Sequence, residues 1–368
     1  MQNDILKYQV ALSLLEGVGP ITAKDLVAYC GSVEAIFKDK DLSKALLKTP
    51  RVGQKIIKAI KDPELFTKVD RELKFIEQRG IKPVFYLNKN YPIRLKQCVD
   101  SPILFYFEGN ADLDNPKVLS VVGTRKATDH GKKICQKIIA ELSPHKPLII
   151  SGLAYGMDIC AHRAAITHGL PTVAVLAHGL DRLYPGEHAS TARAMTENGG
   201  LLTDKESSAK FVPGNFPSRN RLIAGSSDAT LVIESANGGG SMITADIANS
   251  YSRDVLAVPG RPDDKYSKGC NALIKTNRAA LVNSAEDIVQ ILGWKMNEEA
   301  SEVQTRLWID LPPEQQLLVD IIKVKGKAEI DELSLKTGFA TGKAASMLLE
   351  MEFSGIVRSL PGKVYTLN

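Results

Sequence analysis

Between Phe211 and Ser241 the chain reads FVPGNFPSRNRLIAGSSDATLVIESANGGGS. Three kinds of residue crowd into it. Pro213, Gly214 and Pro217 break any regular ladder, so Pro213–Pro217 is expected to be an irregular loop. Ser218-Arg219-Asn220-Arg221 follows, a basic pair at the start of a short helical run, Leu222–Ser226. Ala229–Glu234 then reads as a β-branched strand that stops at Gly238-Gly239-Gly240-Ser241, where another helix opens. A strand ending in a glycine turn at a helix N-terminus aims backbone N–H groups and the positive dipole end at one place. That is a site for an anion, most often a phosphate. Two arginines and a phenylalanine beside it point past a lone nucleotide to a polyanion with faces to stack on.

The elements that position this stretch alternate along the chain from Lys117 to Gly293. Val118–Val122, Pro147–Ile150, Thr172–Leu176, Leu201–Thr203, Ala229–Glu234, Val255–Val258 and Ala280–Val282 read as strands. Helical stretches separate them, including His130–Leu142 and Met157–His168. Near-continuous aliphatic strands alternating with helices predict a doubly wound, mostly parallel α/β sheet of extended Rossmann-like type. In such sheets ligands sit beyond the carboxyl ends of the strands, where the strand order reverses. Five of those ends carry glycine: Gly123, Gly152 with Gly156, Gly179, Gly238 to Gly240, and Gly260. No turn has GxGxxG or GxxxxGK[ST], which argues against a dinucleotide cofactor and against ATP hydrolysis. No cofactor is expected.

With 368 residues the chain is long enough for two or three domains and a substantial core. Apolar content of 44% and charged content of 24% are ordinary for a globular protein. No apolar run approaches the roughly 18 residues of a membrane span, and Met1–Val10 lacks a signal-peptide layout. The five cysteines are scattered without a CxxC pair, as expected of reduced thiols in a cytoplasm. Cys160 and His162 alone do not make a metal site, and no metal is expected. The net charge of +5 arises in residues 1–109, where 18 Lys and Arg face 13 Asp and Glu; the remainder is neutral. Any basic site beyond residue 109 is therefore a local cluster.

Residues 1–75 are expected to form a helical domain. Gly17-Val18-Gly19-Pro20 between two helical runs resembles a helix-hairpin-helix, whose turn offers N–H groups to a DNA phosphate. Thr49-Pro50-Arg51-Val52-Gly53 looks like a degenerate second copy. A sterile-alpha-motif-like bundle that only packs is the other reading, and both remain open. Residues 76–293 hold the Rossmann-like domain, introduced by a connector with short strands at Pro83–Leu87 and Leu104–Phe107. Polar, acidic residues 294–308 read as a linker. In residues 309–368, helices at Pro313–Lys323, Ile330–Thr337 and Thr341–Phe353 precede strands around Pro361-Gly362, the pattern of a winged helix. Its third helix carries Lys343 but also Glu350 and Glu352, so a partner-binding or structural role is favoured over DNA reading.

Several blocks together resemble one known family. They are Val122-Gly123-Thr124-Arg125, Ser151 to Asp158, Gly179-Leu180-Asp181 with Tyr184-Pro185, Phe216 to Gly225, and Ser267-Lys268-Gly269-Cys270-Asn271. The resemblance is to the DNA-processing family DprA, also called Smf, and it covers essentially the whole chain. It implies a Rossmann-like domain that binds single-stranded DNA, loads the RecA recombinase onto it in natural transformation, and dimerises. The chain departs from the family pattern after Tyr184-Pro185, where Gly186-Glu187-His188 lacks a lysine that many members place there. Arg182 and His178 are the candidates to replace it. Ala177-His178, Leu202-Thr203-Asp204-Lys205 and Thr276-Asn277-Arg278 are further departures.

On physical grounds Arg125, Arg219, Arg221 and Lys268 are expected to neutralise phosphates, with backbone N–H groups at Gly123, Gly152 and Gly238–Gly240 cradling them. Phe216 or Tyr184 would stack on a base, and Asn220 would bond a base edge or hold the loop. Thr124, Ser151, Gly156, Gly179, Asp181, Pro217 and Ser241 complete the expected site. The structural reading of Arg219 is a pairing with Asp181 or Glu234, and Asp158 and Asp181 read as loop-ordering carboxylates. No catalytic constellation is evident, so no enzyme activity is expected. The competing function is a phosphoribohydrolase of the lysine-decarboxylase-like type, in which Thr244 would occupy the position of the catalytic glutamate. A duplex-binding regulator using both end domains is a third reading.

Overall fold

The structure is a computed structural model that describes residues 2–38, 53–294, 311–354, 356–360 and 364–367. The described residues up to Trp294 form one compact unit and those from Leu311 onward a second. The proposed second hairpin copy, apart from Gly53, lies outside the described residues, as do residues 295–308 of the expected linker. Trp294 itself is buried in the core of the first unit and is not linker.

The first unit is built on nine strands: β1 (Lys82–Phe85), β2 (Leu104–Gly109), β3 (Val118–Gly123), β4 (Leu148–Ser151), β5 (Thr172–Val175), β6 (Gly199–Thr203), β7 (Ala229–Ile233), β8 (Asp254–Ala257) and β9 (Ala280–Leu281). Their order is β1-β2-β6-β5-β4-β3-β7-β8-β9. From β6 to β9 every pairing is parallel, while β2 meets β6 and β1 meets β2 antiparallel. The mostly parallel sheet is therefore as the aliphatic runs predict. The expected connector instead supplies two strands to the same sheet.

Strands such as β4 (LIIS) and β7 (ATLVI) are buried along their whole length because helices cover both faces. Leu119, Val121, Leu231 and Ile233 face helices Asp129–Leu142 and Met157–Thr167. Val118, Val122 and Val232 face helices Asn215–Gly225 and Gly240–Ser250. The chain leaves β3 for β4 on one side and β7 for β8 on the other, so the strand order reverses between β3 and β7. There the register sets Gly123 opposite Ile233.

The N-terminal helices do not form a separate body. Val10, Leu26, Val69 and Ile76 share one apolar cluster with Leu104, Leu153, Ala174 and Leu201 of the sheet unit. The boundary expected at residue 75 falls inside helix Pro63–Arg79. That helix starts on the Asp62 cap, whose carboxylate accepts from the Glu64 N–H at 3.0 Å, and ends on left-handed Gly80. Polar ties add to the apolar seam. Glu72 is buried and accepts from Ser207 N–H at 3.0 Å and Ser207 Oγ at 2.5 Å; burial raises its carboxyl above the ordinary range. Arg79 donates to Glu108 at 2.9 Å and to the Leu180 carbonyl at 3.0 Å.

In the second unit, helices Pro313–Lys325, Ile330–Thr337 and Thr341–Phe353 pack on a three-stranded sheet ordered β10 (Ala328–Glu329), β12 (Val364–Leu367), β11 (Val357–Leu360). This is a winged helix, closed on Leu318, Ile322, Leu333 and Leu348. Its expected wing turn, Pro361-Gly362, lies outside the described residues. Lys343, the cation of the third helix, is paired with Glu314 at 2.6 Å.

Candidate nucleic-acid interface

At the reversal between β3 and β7 a cleft of about 650 Å³ opens beyond the carboxyl ends of the strands. Gly123, Thr124 and Arg125 form one side of it. Ser235, Ala236, Gly239, Gly240 and Ser241 form another, and Phe216, Pro217, Arg219 and Asn220 a third, with Tyr184 at the rim.

The third side differs from expectation. Pro213–Pro217 is not wholly irregular, because the helix Asn215–Gly225 begins two residues before Pro217. A proline is tolerated there because the first four N–H groups of a helix have no intrahelical acceptor. The earlier start turns Phe216 toward the cleft. It meets Phe211 at 5.6 Å and Tyr184 at 6.1 Å between ring centroids, and Phe211 meets Tyr184 at 5.0 Å. Phe211 is therefore a cleft residue that sequence reasoning missed, although its spacing from Phe216 across a proline-rich turn was the available signal. These edge-to-face contacts fix an aromatic wall whose outer faces reach solvent, since Phe211 and Tyr184 are exposed.

The arginines divide sharply. Arg125 is exposed, lies 5.5 Å over the Phe216 ring, and has no hydrogen bond or carboxylate partner among the described residues. Arg219 and Arg221 do not present their charge to the glycine turn as expected. Arg219 is buried, and its Nη1 donates to the carbonyls of Gly152, at 2.7 Å, and Val175. It clamps the ends of β4 and β5 to the helix and pairs with neither Asp181 nor Glu234. Asp158 supplies its nearby negative charge and accepts from the Ala154 N–H at 3.3 Å. Burial pushes the Arg219 guanidinium down to about 10 and the Asp158 carboxyl up, each opposed by the other's charge. Arg221 is paired with Asp204 at 2.5 Å and with the Asp100 carbonyl. It faces the opposite side of its helix from the cleft, which its guanidinium does not line. Asn220 is the residue that meets the glycine turn, donating to the Gly240 carbonyl at 3.4 Å.

The glycines divide as well. A side chain at Gly123 would meet the Ile233 carbonyl and Met157, and one at Gly152 would strike the Arg219 guanidinium. Gly156, at φ +78°, would place a Cβ 2.3 Å from the Thr124 carbonyl. Gly123 and Gly156 let backbone pass backbone at the reversal, Gly152 leaves room for the Arg219 guanidinium, and neither Gly152 nor Gly156 lines the cleft. At Gly238, with φ +74°, and at Gly240 the added carbon meets nothing. In the turn that opens helix Gly240–Ser250 the Gly239 N–H donates to the Ala236 carbonyl at 3.1 Å and the Met242 N–H to the Gly239 carbonyl at 2.9 Å, which leaves the N–H groups of Gly240 and Ser241 without an acceptor among the described residues. Ser241 Oγ is turned inward to Ser235 Oγ at 2.8 Å, so only its backbone is available.

The remaining expected residues lie outside the cleft. Ser151 is buried and donates to the Val121 carbonyl at 2.6 Å. Gly179 packs against the Glu206 carbonyl, and Asp181 pairs with Arg182 at 2.8 Å. That pairing removes Arg182 as a substitute for the lysine. His178 is removed too: its Nδ1 meets the Gly179 carbonyl and its Nε2 accepts from the Tyr184 N–H at 3.2 Å. Lys268 is exposed at the start of helix Lys268–Lys275 and lines no part of the cleft. Beneath the site, His162 is buried against Thr172 Oγ1 at 2.7 Å, and burial, with Arg219 nearby, pushes its imidazole down to about 3.

Comparison with known proteins agrees with this architecture. The family model described as DNA recombination-mediator protein A matches residues 82–293, and the DprA winged helix domain matches residues 309–363. Protein Smf of Synechocystis is 28% identical over 99% of both chains. The structure of DNA processing protein A from Streptococcus pneumoniae superposes with a TM-score of 0.62 at 27% identity, covering 77% of this chain and 97% of that one. The Helicobacter pylori DNA processing protein A, whose structure concerns its single-stranded DNA binding mode, gives a TM-score of 0.52 at 26% identity over 58% of this chain and 95% of that one. The sheet, its strand reversal and the winged helix thus sit in the frame these proteins share, and the chain belongs to the DNA recombination-mediator protein A (DprA/Smf) family.

Proposed function

We propose that this chain binds single-stranded DNA in the cleft between β3 and β7. Phosphates sit on Arg125 and on the N–H groups that open helix Gly240–Ser250; bases stack on Phe211, Phe216 and Tyr184. The observation that carries this reading is the unpartnered Arg125 guanidinium lying 5.5 Å over Phe216, beside two further rings. A charge and a ring held together match a nucleotide's phosphate and base, and base faces are open only in a single strand. The Helicobacter pylori relative's binding of single-stranded DNA supports the same ligand here.

The family's description as a recombination mediator supports a further step: a cytoplasmic homodimer passes the strand to a RecA-type recombinase during DNA uptake in natural transformation. The cleft is read as a binding site without a reaction. The carboxylate lining it, Asp158, is tied to the Ala154 N–H and neighbours Arg219; Thr244, at the position of the hydrolase glutamate, carries only a hydroxyl. Gel-shift titrations of single-stranded, duplex and mononucleotide ligands across salt test the reading. Tight, salt-sensitive binding of the single strand is expected, with duplex of equal length far weaker. Equal affinity for duplex overturns it, and release of free base from nucleoside monophosphates favours the hydrolase.

A further inference from the structure

The sheet reversal opens toward both faces, and only one of them carries the aromatic cleft. On the side of helix Asp129–Leu142 lies a second cleft of about 730 Å³, bounded by Thr128 and His130, by Glu234 at the end of β7, and by the loop that follows β8. The two clefts are adjacent to within one peptide: Glu234 lines the second and Ser235 the first, and consecutive Cα atoms lie about 3.8 Å apart. Arg125 and Thr128, three residues apart, likewise belong one to each.

The loop after β8 is held by hydrogen bonds along its length. The Asp264 N–H donates to the Arg261 carbonyl at 3.1 Å and the Ser267 N–H to the Asp264 carbonyl at 3.0 Å. Asn271 grips Gly260 at both backbone atoms, donating to its carbonyl at 2.9 Å and accepting from its N–H at 3.1 Å. On this frame Arg261 and Lys265 are exposed, and neither has a carboxylate partner among the described residues. The Lys265 ammonium lies 5.9 Å over the Tyr266 ring. The carboxylate between the clefts is already engaged: Glu234 accepts from the Thr128 N–H at 2.8 Å and from the Thr128 hydroxyl. Asp263 and Asp264 are exposed in the same loop and are the opposing charges, Asp264 lining the cleft. A hydrogen-bonded loop that holds two cations without carboxylate partners among the described residues, and a ring, beside the proposed DNA site repeats the chemistry of that site.

We infer that this second cleft is a continuation of the single-strand path, with phosphates on Arg261 and Lys265 and a base against Tyr266. The inference rests on the proposed DNA binding in the first cleft. A strand leaving Arg125 passes over the Glu234–Ser235 peptide and is caught again, so longer strands bind more tightly than the first cleft alone allows.

Fluorescence anisotropy with oligothymidylates of about 5 and about 15 nucleotides, spanning the usual range of single-strand site sizes, tests it. The double variant Arg261→Ala, Lys265→Ala is expected to lose about tenfold in affinity for the long strand and to lower its salt slope by about 1.4, or about 0.7 per phosphate. The short strand is expected to bind unchanged. Tyr266→Ala weakens the long strand but not one whose corresponding positions are abasic. Unchanged binding of the long strand by the double variant, or equal loss for both lengths, overturns the second cleft. Arg125→Ala is the control: it weakens both lengths if the first cleft binds DNA. If it weakens neither, the underlying reading fails whatever the loop variants do.

Discussion

Helix Asn215–Gly225 and the turn after β3 both carry arginine, and the helix carries more of it. Yet Arg219 and Arg221 are spent inside the protein, on carbonyls and on Asp204, while Arg125 meets, among the described residues, a ring and no carboxylate. A cation serves a ligand only if the fold leaves it unpaired. Density of positive charge in the sequence is a poor guide to that, because the partners that consume it arrive from distant parts of the chain.

The largest test of this contrast is Arg219→Ala. It strands a buried Asp158 carboxylate and two carbonyls, and should cost about 3–5 kcal/mol in urea unfolding. Arg219→Lys should recover only part of that, lacking the planar fork. A fully stable alanine variant would show that the clamp carries no load. Arg221→Ala comes next, with an expected loss of about 2 kcal/mol from a half-buried charged pair. A double-mutant cycle with Asp204→Asn should return most of that loss as coupling, and additive losses would deny the pairing. Arg125→Ala should leave stability within about 0.5 kcal/mol and weaken every single-stranded sequence by about tenfold, with the salt slope down by about 0.7. A fall in melting temperature without a change in slope would place Arg125 with the structural arginines.

The smallest effect is a pH dependence. The burial that confines Arg219 also keeps His162 neutral, with its folded value at about 3, below the ordinary 6.5. Its stability contribution is whole above pH 6.5 and is lost as pH falls toward 3, because the unfolded chain takes up the proton first. Between pH 7 and pH 6 the loss should be under about 1 kcal/mol, and His162→Gln should flatten that slope. An unchanged slope would mean that the ring is protonated in the fold.

Much of the sheet was legible because β3, β4, β5, β7 and β8 are aliphatic runs that only a doubly covered sheet can bury. The cleft was legible through Arg125, Phe216, Asn220 and the Gly238–Gly240 turn, which gather at the predicted reversal. What stayed hidden has tertiary causes. Nothing near Arg221 in sequence announces Asp100 and Asp204 as its partners. Pro217 reads as a breaker, but in a first turn it breaks nothing. Glycine at a strand end reads alike whether it faces a phosphate or another backbone, and Gly156 and Gly238 separate only when their neighbours are seen. Phe211 needed the start of the helix to be known before its ring could be placed.

The seam between the N-terminal helices and the sheet governs how the first unit comes apart. Val10, Leu26 and Val69 complete the same apolar cluster as Leu153, Ala174 and Leu201, so neither side can expose its half without exposing the other's. Amide protons in helix Pro63–Arg79 should therefore exchange through the same global opening as those of β5, with no cheaper route. Chains shorn of residues up to Arg79 inherit a wet, apolar flank on the sheet. Their cleft would stand on a scaffold that is sticky and less cooperative, whether or not the helices ever touch DNA.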